Sequence, residues 1–231
     1  MCGRYASFRQ AQELADIFEI DVVSPIAEQL PPSWNVAPTQ AARIVREEAP
    51  GGELVRILDA AKWGLVPHWA KDEKIGSRMI NARSETITEK PSFRGPAKYS
   101  RCVVPVEGYY EWQSVEGRRT KTPYFLHAAD GAPLMLAGLT SLWRDELLTF
   151  TIATRAAEGN LAAIHDREPV MLRAEDVGLW LNPGLQDPAE VAELLRRPRP
   201  EVAFHEVSTL VNTPRNNSPQ LVEPAGTPPL A

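Results

Sequence analysis

Arg101-Cys102-Val103-Val104-Pro105-Val106-Glu107-Gly108-Tyr109-Tyr110-Glu111-Trp112 is two β-type runs separated by Glu107-Gly108. Valine dominates the first run and aromatics the second, and both residue types fit a pleated, half-buried surface. A further turn is signalled at Glu116-Gly117. Outward from this stretch the pattern repeats. Downstream, 124–127, 134–139, 147–153, 170–172 and 204–207 are short apolar runs divided by turn residues. Upstream, 42–45 and 54–58 flank the turn Pro50-Gly51-Gly52. Helices are fewer. Ser7 and Gln10 have the spacing of a capping box, which predicts a helix over 8–19. Shorter helices or turns are expected at 159–164, 176–181 and 188–197, the last with Asp187 as N-cap and Pro188 in the first helical position. Four prolines between Asp21 and Pro38 predict irregular or extended chain there. The pattern predicts an α+β fold: a single domain with a curved, barrel-like, mostly antiparallel sheet and a few peripheral helices.

At 231 residues with 43% hydrophobic content, the chain can bury a large core without covalent staples. Its two cysteines, Cys2 and Cys102, are too few for a disulfide framework, which predicts a reducing, cytoplasmic setting. Apolar runs stay short of a membrane span, and Arg9, Gln10, Gln12 and Glu13 interrupt any signal-peptide pattern. Dispersed histidines without C-x-x-C or H-E-x-x-H predict no metal, and no nucleotide or hydrolase motif implies a cofactor. The net charge of −5 alone speaks against nucleic acid. Its distribution does not. Residues 62–101 hold nine basic and four acidic residues, a local +5 that leaves −10 elsewhere. Such a face attracts phosphates, although a solvated lysine-bearing loop has the same composition. Trp63, Trp69, Phe93, Tyr109, Tyr110 and Trp112 interleave with or follow it, an arrangement suited to stacking unpaired bases. Trp69 and Phe93 neighbour polar loops and are the aromatics expected to be exposed.

The chemistry-bearing residues start at Met1-Cys2-Gly3-Arg4-Tyr5. If Met1 is removed, Cys2 presents an α-amine and a thiol as a 1,2-aminothiol. The amine, with a pKa of about 7.7–8.0, is partly neutral at physiological pH and attacks aldehydes. The thiol can then close the ring intramolecularly. An ordinary buried cysteine in a first strand is the plain alternative. Asn81 and Arg83 are two apart in an extended segment, so they share a face. Glu111, between Tyr110 and Trp112, is a candidate for a desolvated carboxyl with a raised pKa. His165, followed by Asp166 and Arg167, is a candidate general acid/base or a hydrogen-bonded loop residue. His68, His127 and His205 lack such context.

Met-Cys-Gly-Arg-Tyr at 1–5, Trp-Asn-Val-Ala-Pro at 34–38 and Trp-Gly-Leu-Val-Pro at 63–67 occur in that order. Ile-Asn-Ala-Arg-Ser-Glu at 80–85, Glu-Gly-Tyr-Tyr-Glu-Trp at 107–112 and Ile-His-Asp-Arg-Glu-Pro at 164–169 follow. Together they resemble the SRAP family, the SOS-response-associated peptidases or abasic-site processing proteins. The resemblance spans residues 2 to about 220. It implies a SRAP domain over 1–220, with 221–231 an extended or mobile tail. It also implies a partner, single-stranded DNA containing an abasic site, and a covalent link to it through Cys2 after Met1 removal. The family's catalytic residues fall on Cys2, Asn81, Glu111 and His165, and its phosphate-binding arginines on Arg4 and Arg83. Asn35, Trp69 and Phe93 complete the expected DNA-binding set. The match is looser at Val211-Asn212-Thr213 and Asn216-Asn217, where Pro214 and Arg215 intervene.

A ring-opened abasic site is an aldehyde, the partner a 1,2-aminothiol requires. The expected activity is a thiazolidine DNA–protein crosslink that shields the lesion, with weak lyase activity if ring closure fails. The expected setting is a cytoplasmic monomer, nucleoid-associated when bound to DNA. Two rivals stand. One is a cysteine-type (auto)peptidase with Cys2 as nucleophile and His165 as base. The other is a non-catalytic module that binds modified DNA.

Overall fold

Alternation along the strands sets the layers. The computed structural model describes residues 2–117 and 120–226. Its first half runs β1 (Tyr5–Ser7), α1 (Ala11–Phe18), β2 (Val22–Val23), α2 (Pro25–Gln29), β3 (Ser33–Val36), β4 (Ala41–Glu48), β5 (Val55–Trp63) and β6 (Asn81–Arg83). Then come α3 (Arg94–Tyr99), β7 (Arg101–Val106), β8 (Gly108–Gln113), β9 (Thr122–Ala128), β10 (Leu134–Trp143) and β11 (Leu147–Ala156). The last elements are β12 (Arg167–Pro169), β13 (Met171–Leu172), α4 (Ala174–Leu181), α5 (Pro188–Arg196) and β14 (Val202–Glu206). Ile44, Cys102, Val104, Leu136 and Ile152 join one buried cluster, while Val45, Val103, Ala137 and Ala153 join another. Neighbouring residues on one strand thus serve opposite faces, as the period of two demands.

The strands form two sheets. The smaller has the order β14-β9-β8-β1-β3; the larger runs β12-β11-β10-β7-β4-β5-β2, with β13 on β10 and β6 on β11. Pairing is mostly antiparallel. A parallel contact of β11 with β5, through Thr149–Lys62 and Phe150–Trp63, curls the larger sheet back on itself without closing a regular barrel. One face of this sheet carries the helices: Leu14 and Phe18 of α1, Ala27 of α2, Ala97 of α3, Trp180 of α4 and Val191 of α5 pack on Val45, Val103 and Leu139. The other face packs on the smaller sheet through Tyr5, Tyr109 and Leu126. At eight residues α1 is too short to persist alone. Burial of Leu14 and Phe18, at roughly 1.5–3 kcal/mol each, fixes it.

The curved α+β architecture agrees with the sequence reading; several local readings do not. The first helix begins at Ala11, and its capping box is Gln10 with Glu13. Ser7 belongs instead to β1, where it is buried. The proline-rich stretch contains α2, whose N-cap Ser24 accepts from the Ala27 amide at 3.2 Å. Residues 94–99, to which the sequence pattern assigned no element, are helical despite Gly95 and Pro96. Arg101 leaves the basic face. It is buried, donates to the carbonyls of Trp180, Ala97, Lys98 and Asn182 at 2.5–3.0 Å, and is lowered by desolvation to about 10. Residues 221–226 are packed rather than free. Leu221 is 1% exposed, Val207 bridges Pro224, and the Ala225 amide donates to the Glu206 carbonyl at 2.8 Å. The rest of the expected tail, 227–231, lies outside the described residues, as does Met1.

Two glycines set close approaches around the site. Gly64 has φ +120°, and a Cβ there would meet the Gly76 carbonyl oxygen at 2.6 Å. A Cβ on Gly108 would meet the Leu126 carbonyl oxygen and the Phe125 ring at 2.5 Å. Both glycines precede site segments, and neither position has room for a side chain.

Candidate active site at the amino terminus

Strand register brings the candidate residues to Cys2. Tyr5 pairs with Tyr109 and Ala6 with Gly108 between β1 and β8. The Tyr110 amide donates to the Arg4 carbonyl at 2.9 Å. This antiparallel run carries residues 2–4 alongside 110–112, which sets Cys2 near Glu111. From the other sheet, β6 pairs in parallel with β11, Asn81 opposite Ile152. Asn81 Nδ2 donates to the Cys2 carbonyl at 2.8 Å. Trp63 underlies the junction: it is buried, its Nε1 donates to the Ile80 carbonyl at 2.9 Å, and its ring lies 4.9 Å from that of Tyr5.

Cys2 is 0% exposed. Burial pushes its thiol far above the ordinary value, and the nearby Glu111 charge pushes it further. A hydrogen bond from the Arg4 backbone acts in the opposite direction and is outweighed. Glu111 is 4% exposed, and its carboxyl is raised above 4.5, chiefly by burial, with the neighbouring His165 working the other way. The site therefore favours a neutral thiol and a carboxyl that holds its proton to higher pH than usual. Tyr5 and Tyr109, both buried, are raised well above 10 by desolvation first and by the Cys2 charge second.

His165 follows a 3-10 turn over Gly159–Ala163. Two contacts compete for its Nδ1: the Arg167 backbone N–H donates to it at 3.0 Å, and Asp166 Oδ1 lies 2.8 Å away. An unprotonated Nδ1 satisfies the first and a protonated one the second. The amide is fixed at the start of β12, whereas the Asp166 side chain is largely in solvent, so the backbone contact is the steadier of the two. Cys2, Asn81, Glu111 and His165 are thus brought to one locality from four separate segments.

The expected DNA-binding residues divide. Arg4 is half-buried; its Nη1 donates to Asn35 Oδ1 at 2.9 Å and to the Val211 carbonyl at 3.0 Å, and its guanidinium stands 6.0 Å from the Trp112 ring centroid. Arg83 is exposed at the end of β6. Trp69 is 52% exposed. Phe93, by contrast, is partly buried at the N-cap of α3 against the helix-side core. Asn35 is 2% exposed, and its Nδ2 reaches the carbonyls of Val211, Thr213 and Asn216 at 3.4, 3.1 and 2.8 Å. Its amide is fully occupied within the protein and has nothing left for a phosphate. Two members of this neighbourhood, Tyr5 and Asn212, lie in stretches that carried the family resemblance but were given no role of their own. Asn212 accepts from Trp112 Nε1 at 2.7 Å. Alternation along β1 places the Tyr5 ring inside, whereas the looser match at Val211-Asn212-Thr213 did not say what Asn212 holds.

No group of three or more His, Cys, Asp or Glu arranged to hold a metal occurs among the described residues, and none of their helices is long and apolar enough to cross a membrane.

Residues 1–214 match the family described as SOS response associated peptidase (SRAP). The chain is 40% identical over 228 residues to abasic site processing protein YoqW of Bacillus subtilis (strain 168), covering 96% of this chain and 99% of that one. It is 33% identical over 233 residues to abasic site processing protein HMCES of Pongo abelii, covering 84% of this chain and 65% of that protein. In structure it resembles a protein from Bacteroides thetaiotaomicron with TM-score 0.83 at 26% identity, over 97% of this chain and 100% of that one. A phage-related protein from Bordetella bronchiseptica gives TM-score 0.68 at 30% identity, over 89% and 94% of the two chains.

Proposed function

We propose that this chain, which belongs to the SOS response associated peptidase family, processes abasic sites in DNA, and that it does so by forming a covalent crosslink through Cys2. The observation that carries this reading is the Cys2 carbonyl held by Asn81 next to a buried, protonation-prone Glu111. Relatives named as abasic site processing proteins across nearly the whole chain support the DNA lesion as substrate.

The chemistry follows from the groups present. Once Met1 is removed, the Cys2 amine adds to the aldehyde carbon of a ring-opened abasic sugar. Glu111 donates the proton that lets water leave, and an imine forms. The Cys2 thiol then adds to the imine carbon and its proton passes to the nitrogen, closing a five-membered thiazolidine. One water is lost overall. The raised thiol suits this order: a neutral sulfur waits for the imine, where a peptidase would need a standing thiolate. His165 moves a proton at the sugar oxygen during ring opening, and Asn81 orients both the terminus and the sugar. Arg4 and Arg83 hold backbone phosphates, contacts that fix register without reading sequence. Exposed Trp69 offers a stacking surface for an unpaired base, which favours single-stranded DNA. If the thiol fails to close, the imine permits β-elimination, which gives weak lyase activity. Self-removal of Met1 would be a limited peptidase step at the same locality. The chain acts as a monomer in this scheme, with no cofactor.

The test compares two single-stranded oligonucleotides on a denaturing gel. One carries an abasic site and the other carries the same site reduced to the alcohol. With Met1-free protein, confirmed by intact mass, a heat-stable shifted band is expected only from the aldehyde. Equal bands from both, or none from either, would overturn the crosslinking mechanism.

A further inference from the structure

We infer that Asn35 is a positioning residue that fixes the anion-binding end of Arg4 without touching DNA; the inference rests on the reading of Arg4 as a phosphate contact. A guanidinium has five N–H groups, two on each Nη and one on Nε. Both protons of Arg4 Nη1 have acceptors in the protein: Asn35 Oδ1 and the Val211 carbonyl. Arg4 Nε is buried and meets no acceptor among the described residues. Nη2 is therefore the end left over, and its N–H groups can make a charge-assisted contact to a phosphate oxygen.

Asn35 can hold this orientation because it is itself held. Its Nδ2 is tied to the carbonyls of Val211, Thr213 and Asn216, and Asn216 Nδ2 ties back to the Leu210 carbonyl at 2.8 Å. Trp112, on the flank of Arg4, is anchored to Asn212 of the same segment. The 210–216 segment is thus a scaffold for one arginine, and Asn35 is its pin. Arg83, exposed on β6, has no comparable setting.

The experiment is a double-mutant cycle. Noncovalent binding is read by anisotropy on a single-stranded oligonucleotide carrying one reduced abasic site. Crosslinking is read in single turnover on the aldehyde form. Asn35→Ala is expected to raise the half-saturating DNA concentration about tenfold, the value of one lost charge-assisted contact. The saturating crosslinking rate should fall less than twofold. In an Arg4→Ala background Asn35→Ala should add no further loss, whereas with Arg83→Ala the losses should multiply. Losses that multiply with Arg4→Ala, or a fall confined to the saturating rate, would overturn the inference. Should Asn35→Ala lose its melting transition, Asn35→Ser, which keeps a hydroxyl for the 211–216 carbonyls, carries the same cycle. Absence of crosslinking by the unmodified protein would sink the crosslinking reading alone, because the anisotropy arm needs no covalent step.

Discussion

Cys2→Ser is expected to abolish the heat-stable crosslink, at least about a thousandfold in rate, while leaving a band that borohydride can trap. The size follows from the intramolecular step: a thiol on the same carbon skeleton as the imine acts at an effective concentration of about 10⁵ M or more. The serine hydroxyl occupies the same place but is a far weaker nucleophile, so the imine stays open and reverses. Reduction by borohydride locks it as an amine. Cys2→Ala should behave alike. Because Cys2 is buried in the core shared by Tyr5 and Trp63, both variants must be shown to keep the melting transition. Loss of the borohydride-trapped band together with the heat-stable one would mean that the amine is not the first nucleophile.

Glu111→Gln is expected to slow crosslinking by about 10²–10⁴, the usual worth of a positioned acid/base. Its stability signature should have the opposite sign. Burial raises the folded-state value of Glu111 above 4.5, so the native protein holds this proton where the unfolded chain has released it. Between 4.5 and the raised value, stability falls as pH rises; the penalty is fully present above that window and absent below it. The glutamine variant carries no such charge. It should therefore melt higher than the unmodified protein at neutral pH, with the gain fading as pH drops towards 4.5. Thermal melts at several pH values, set beside single-turnover rates, check both halves. A variant both slower and less stable at neutral pH would assign Glu111 a packing role instead. Carboxyls kept buried at a cost to stability are what functional sites predict.

The fold was legible where side-chain period and burial coincide. Val103 and Val104 serve opposite faces of one strand, and Glu107-Gly108 breaks the chain where β7 gives way to β8. It was illegible where a polar or helix-breaking residue is satisfied by distant partners. Arg101 counted as surface charge until the carbonyls of Trp180 and Asn182, about eighty positions away, were seen to take its protons. The helix α3 had no sequence signal because it contains Gly95 and Pro96, yet Pro96 stands in its first turn, where its missing N–H costs nothing. The site shows the same split. Each of Cys2, Asn81, Glu111 and His165 could be singled out, since a terminal aminothiol, a carboxyl among aromatics and a histidine beside an aspartate carry chemistry in their types. Their meeting depends on β1–β8 register and on the parallel β6–β11 pair, which no local pattern encodes. Asn35 is the inverse case: the resemblance placed it among the DNA contacts, and its four partners in the fold make it an internal pin.

The most direct test of the central claim is the chemical state of Cys2 in the isolated crosslink. The crosslinked peptide is treated with borohydride and then with a thiol-alkylating reagent, and its mass is measured. An imine and a thiazolidine have the same mass, since each forms with loss of one water, but they differ in reactivity. The thiazolidine account predicts a Cys2–sugar adduct that gains neither hydrogen nor alkyl group. An adduct that takes up two hydrogens and is alkylated at sulfur, or one attached to any other residue, would contradict it.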